Sequence, residues 1–167
     1  MNVPLSQPYM GPEEIDAVVA VLRSDRLALG PVTAEFERLF AEAIGVKYAL
    51  AVNSGTSGLH LAVKALGLGP GDEVITSPFS FVASSNCILF EGAKPVFVDA
   101  DEGFNIDPRL IEAAITPNTK AILPVHVFGE SADMDPIMDI AKRHGLRVIE
   151  DACEAIQATY KGKMTGT

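Results

Sequence analysis

Three short stretches of this sequence carry residue types that can bind or polarise a small ligand. The first is Asn53-Ser54-Gly55-Thr56-Ser57-Gly58, which runs straight into a helical pattern. Small residues, hydroxyls and the unpaired N–H groups of a helix start make a cradle for a phosphate. The same residues also serve as an ordinary Ser/Thr cap with glycines for the turn. The second stretch is Ser77-Pro78-Phe79-Ser80-Phe81-Val82-Ala83-Ser84. An aromatic ring there, at the mouth of a sheet, can stack on a flat ligand or simply fill the core. The third is Glu150-Asp151, followed by Ala152-Cys153-Glu154-Ala155. A carboxylate at that point can pair with a protonated ring nitrogen, or cap a turn.

Other patterns fall short of a site. Gly67-Leu68-Gly69-Pro70-Gly71 follows a helix and precedes a strand, the reverse of a dinucleotide-binding fingerprint. Asp99, Asp101, Asn105 and Asp107 hint at a calcium loop, but Gly103 sits one place early and Leu110 stands where a glutamate is required. His60, His126 and His144 have neither HExxH spacing nor cysteine neighbours, so no zinc site is expected. No GxSxG or P-loop occurs.

The elements that must position these residues alternate along the chain. Pro12 begins a helix with Ile15, Val18, Val19 and Leu22 on one face and Glu13 and Glu14 at its start. After the Gly30-Pro31 break, a second helix follows Thr33, with Phe36, Leu39, Phe40, Ala43 and Ile44 on one face and Gly45 as its stop. These helices read as an arm, residues 1–46, ahead of a domain over 47–167. In that domain apolar runs at 48–52, 73–76, 95–98, 121–125 and 146–149 predict strands. Stretches 56–66, 82–90, 108–115 and 136–144 predict helices, the last two opened by Asp107-Pro108 and Asp135-Pro136 as N-cap and first turn. Residues 157–162 predict one more extended segment or turn. Continuous apolar strands alternating with helices imply a mostly parallel sheet covered on both faces, a three-layer α/β/α sandwich. In such sheets ligands bind beyond the carboxyl ends of the strands, where all three stretches fall.

Composition narrows the function classes. The chain of 167 residues is long enough for one substantial core and short for two. Its net charge of −9 is spread along the sequence, which argues against a nucleic-acid partner but not against a small anion held by local N–H groups. Cys87 and Cys153 form no disulfide framework and read as buried free thiols in a reducing cytosol. No signal-peptide pattern or membrane-length apolar run is found, and a cytoplasmic location is expected.

Together and in this order the motifs resemble the DegT/StrS-type family of sugar aminotransferases, which depend on pyridoxal phosphate (PLP) and have the fold-type-I architecture. The likeness runs from Gly30-Pro31 to Thr167. It includes NSGTSGLHLAVKALGLGPGDEVITSPFSFVASSN, then GAKPVFVD, PVHVFG with ADMD, and VIEDACEA. It implies that the domain is the family's large, PLP-binding one. Gly55, Thr56 and Ser57 would bind the cofactor phosphate, Phe81 would stack on the pyridine ring, and Asp151 would pair with the ring nitrogen. Glu154 stands near the ring hydroxyl, where members often have His or Gln, and a glutamate beside a phenolate requires one of the two to hold a proton. The implied reaction moves an amino group from glutamate to a nucleotide-linked keto-sugar in sugar and polysaccharide biosynthesis. The implied assembly is a homodimer, with no nucleic-acid or membrane partner.

One part of the family pattern is missing. The lysine that carries the cofactor lies in a phenylalanine- and serine-rich strand expected shortly after Gly166-Thr167. The lysines present are Lys47, Lys64, Lys94, Lys120, Lys142, Lys161 and Lys163, and none has that context. The sequence is therefore expected to be a truncated large domain, lacking later strands and the small domain, with an uncovered sheet edge and no catalytic residue of its own. Two other readings share the motif set: a non-catalytic PLP-binding or regulatory module, and a lysine-free relative that dehydrates sugars. A generic nucleotide-binding domain would leave the ordered motifs unexplained.

Overall fold

The computed structural model describes residues 3–4 and 6–167. They form two compact units, one ending at Ala51 and the other spanning Val52–Thr167. The first unit carries α1 (Pro12–Leu22) and α2 (Pro31–Ile44). Each has proline in its first turn, which suits a position whose N–H has no helical partner anyway. The second helix therefore starts at Pro31 rather than after Thr33. No residue of α1 is buried, and Ala41 alone is buried in α2, so the apolar faces read from the sequence are solvent-exposed.

The second unit is an α/β sandwich. Four parallel strands, β1 (Glu73–Thr76), β2 (Lys94–Phe97), β3 (Thr119–Leu123) and β4 (Arg147–Val148), lie in the order β2-β1-β3-β4. Alternation along the central strands divides the core in two. Val74, Ala121 and Leu123 pack on one face with Leu59 and Val63 of α3 (Gly55–Ala65) and Cys87 and Ile88 of α4 (Ala83–Phe90). Ile75 and Ile122 pack on the other with Ile111 of α5 (Pro108–Ile111) and Ile137 and Ile140 of α6 (Met134–His144). The period of two in the strands thus supplies both helix layers from four or five residues each. Two short strands, β5 (Thr159–Tyr160) and β6 (Lys163–Met164), close the chain as an antiparallel hairpin.

Three local expectations need correction. The run 48–52 is not a strand: it has no ladder partner, and Tyr48 and Leu50 are largely exposed. An apolar pattern is only half of a strand, because the N–H and C=O groups also need a neighbour. Asp135 is not an N-cap; α6 begins at Met134 after Asp133, placing Asp135 and Pro136 inside the first turn. The helix expected over 108–115 is α only to Ile111 and tightens to a 3₁₀ turn at Glu112–Ala114. By contrast, Asp107 does cap α5, its carboxylate accepting the Arg109 N–H at 2.9 Å.

The outer helix layer is tied by ions. Glu112 accepts from the Arg143 guanidinium and from His144 at 2.8 Å, while Arg143 also holds Asp139 at 2.9 Å. The hydrogen bond from Arg143, and then that from His144, lowers the Glu112 carboxyl from 4.5 to about 2. A carboxyl lowered by folding stabilises the fold above its ordinary value, and that contribution is lost as the pH falls through the folded value. Urea midpoints of the parent and Glu112→Gln should therefore differ above pH 4.5 and converge as the pH approaches 2. A gap unchanged across that range would contradict the ion cluster.

Candidate cofactor site

The chain reverses its direction across the sheet between β1 and β3. The segment after β1 leads to α4 on one face, and the segment after β3 leads to α6 on the other. A crevice opens at such a switch point, beyond the carboxyl ends of the strands. Here it is a cleft of about 170 Å³ lined by Gly55, Thr56, Phe81, Asp151 and Glu154, together with Ser80, Ala83, Val125 and Cys153. Five of the six residues singled out from the sequence therefore line one cavity, and the sixth, Ser57, is one residue along α3.

The wall made by α3 is a donor set. Ser54 is extended (φ −164°, ψ 157°), and its hydroxyl accepts the Ser57 N–H at 3.1 Å and meets the Ser57 hydroxyl at 3.0 Å. That cap leaves the N–H groups of Gly55 and Thr56 directed out of the first turn, at the positive end of the helix dipole. Gly55 is required by close approach. A Cβ at this position would lie 2.8 Å from the Cys153 sulfur, well inside contact distance.

Opposite the helix end, Asp151 is buried at 6% exposure. One carboxylate oxygen accepts the Ser84 hydroxyl at 2.9 Å and the other accepts the Cys153 N–H at 3.2 Å. Because Ser84 gives its hydrogen to Asp151, Ser80 must donate to Ser84 across their 2.7 Å contact. Each oxygen of Asp151 keeps a further lone pair, so the carboxylate is oriented yet can still accept from a ligand. Phe81 is 71% exposed at the cleft mouth, so its ring face is available rather than spent in the core. Glu154 accepts the N–H of Phe128, a residue in left-handed conformation (φ 55°), at 3.1 Å.

The cysteines depart from expectation in one respect. Both are free, but only Cys87 is buried, while Cys153 is exposed. Its sulfur is nevertheless turned against Gly55 and Asp151. Desolvation first, then the Asp151 carboxylate, pushes the thiol up to about 12. Among the described residues no lysine lines the cleft. Lys161 is paired with Asp135 on α6, on the opposite face of the sheet, and that pairing holds it protonated. Ser80, Ser84 and Val125 were not singled out from the sequence. The one available signal was the i, i+4 spacing of the two serines, which places them on one side of a helical turn.

Residues 8–167 match the DegT/DnrJ/EryC1/StrS aminotransferase family, and the chain belongs to it. The spore coat polysaccharide biosynthesis protein SpsC of Bacillus subtilis is 52% identical over 99% of this chain and 43% of its own length. GDP-perosamine synthase of Caulobacter vibrioides is 47% identical over 99% of this chain and 45% of its own. The chain thus spans less than half the length of these curated relatives. Among solved structures, the aminotransferase from Psychrobacter cryohalolentis superposes with a TM-score of 0.93 at 45% identity, covering 98% of this chain and 42% of that one. A GDP-4-keto-6-deoxymannose-3-dehydratase with a trapped PLP–glutamate geminal diamine gives 0.94 at 32% identity, covering 99% of this chain and 45% of that one. Family membership and such neighbours indicate pyridoxal phosphate as the cofactor.

The residues present suit that molecule: a helix-start donor set for a dianion, a free aromatic face, and an oriented carboxylate for a ring nitrogen. Gly55→Ala should destabilise the fold by about 1–3 kcal/mol through overpacking. In a Cys153→Ala background, where the obstructing sulfur is gone, most of that loss should disappear. Urea denaturation of the two single variants and the double variant measures the coupling. Simple additivity would show that the contact with Cys153 does not set the glycine requirement.

Proposed function

We propose that the cleft binds pyridoxal phosphate in support of amino transfer from glutamate to a nucleotide-linked keto-sugar. The observation that carries this reading is the convergence of the Gly55–Ser57 helix start, the Phe81 ring and the Asp151 carboxylate on one cavity. In it, Gly55 and Thr56 donate main-chain N–H groups to the phosphate, and the Thr56 and Ser57 hydroxyls add to them at the positive end of α3. Phe81 lies against the flat ring face. Asp151, held by Ser84 and the Cys153 N–H, keeps a proton on the ring nitrogen. When bound, the cofactor supplies an electron sink for the charge that develops at the amine-bearing carbon. Glu154, which accepts the Phe128 N–H, would face the ring hydroxyl, with one of the two holding a proton.

Amino transfer also needs a lysine to move the proton, and among the described residues none lines the cleft. We therefore propose that the chain alone binds the cofactor without turning over a keto-sugar, and that residues 47–167 belong to a homodimeric cytoplasmic enzyme of the family. The dehydratase neighbour supports a second reading, in which the same cleft serves removal of a sugar hydroxyl.

Titration of the purified chain with PLP, followed by absorbance and then by borohydride reduction with peptide mapping, tests the proposal. Saturable binding without a reducible adduct is expected. Asp151→Asn should weaken it about tenfold, the order of a hydrogen bond to a charged group. Absence of binding, or a reducible adduct on Lys161 or Lys163, would overturn it.

A further inference from the structure

We infer that His126 is a positioning residue that holds Asp151 in the cleft, an inference that rests on the cofactor reading above. The imidazole is fully buried, at 0% exposure, and does not line the cleft. His126 joins its own strand end to two other pieces of chain, Glu150–Asp151 and Ala132. Its main-chain N–H donates to the Asp151 carbonyl at 3.0 Å, and the Asp151 N–H donates to the Pro124 carbonyl at 2.9 Å. Its Nδ1 accepts the Ala132 N–H at 3.0 Å. A ring nitrogen that accepts carries no proton, so the proton sits on Nε2 and is donated to Glu150 Oε2 at 2.9 Å. The same oxygen accepts the Gly166 N–H at 2.8 Å.

Side chains on extended backbone alternate between faces. Val125 and Asp151 pair across a parallel bridge, and both line the cleft. Their neighbours His126 and Glu150 therefore point to the other side, where each holds the other. A grip on Glu150 is a grip on the direction of the next side chain. Releasing it frees the strand end, and a slip of one residue turns Asp151 away from Ser84 and out of the cleft.

The test uses four variants of the chain. His126→Asn keeps an acceptor near the Ala132 N–H but does not reach Glu150, and His126→Gln keeps a donor to Glu150 but not the Nδ1 acceptor. Glu150→Ala removes the acceptor for both His126 and Gly166, and Glu150→Gln retains it. Two quantities are read: the dissociation constant for PLP, and the titration of the Asp151 carboxyl by ¹³C NMR in the cofactor-free chain. His126→Asn and Glu150→Ala should each weaken PLP about tenfold and shift the Asp151 titration, with His126→Gln intermediate. Glu150→Gln should restore both to near the parent values. A role in folding alone would lower Tm but leave the Asp151 titration unmoved, and that result overturns the inference. Should His126→Asn fail to fold, Glu150→Ala against Glu150→Gln makes the same comparison. A parent that does not bind PLP would refute the cofactor reading instead, and the carboxyl titration would then decide the positioning role by itself.

Discussion

The site depends on one short pairing beyond the regular sheet, the parallel bridge between Val125 and Asp151. β3 ends at Leu123 and β4 at Val148, yet their chains stay joined for a few more residues through the Asp151 N–H to Pro124 and the His126 N–H to Asp151. That extension carries a buried carboxylate past the end of the ladder and into the crevice. Burying a carboxylate without partners is costly. Here Ser84 from α4 and the Cys153 N–H meet both oxygens, so the charge is oriented rather than merely tolerated. The two layers of the fold meet at this point: the helix that covers one face supplies a hydroxyl to the strand end that forms the sheet edge.

The electrostatics are local. A chain of net charge −9 offers no attractive long-range field to a phosphate dianion. What it offers is the start of α3, with oriented N–H groups and a glycine that lets the backbone pass within contact of Cys153. Helix ends act over about one turn, so overall acidity does not cancel them. The strand end of the cleft works the opposite way, with Asp151 presenting negative charge. The two ends suit a molecule that is anionic at one end and protonated at the other.

Much of this was legible in the sequence because the signals were chemical as well as periodic. Apolar runs between capped helices gave the parallel sheet, and the residues after three of those runs met in one cleft. What could not be read has physical causes. The run at 48–52 has strand composition but no partner for its backbone, and composition does not report partners. Asp135-Pro136 looks like a helix start because proline is accepted throughout a first turn, so the pair cannot say which of its positions it holds. Cys153 looks like a core thiol but sits at the surface with its sulfur turned inward. Ser84 and His126 act through contacts across 67 and 24 residues of chain, to Asp151 and Glu150, and such contacts leave no mark on local pattern.

The most direct measurement is a crystal structure of the chain soaked with pyridoxal phosphate. The expected arrangement places the phosphate within hydrogen-bonding distance of the Gly55 and Thr56 N–H groups, the ring against Phe81, and the ring nitrogen on the Asp151 carboxylate. An ordered cofactor with its phosphate elsewhere, or with its ring nitrogen turned away from Asp151, would contradict the central claim that these three elements form one site.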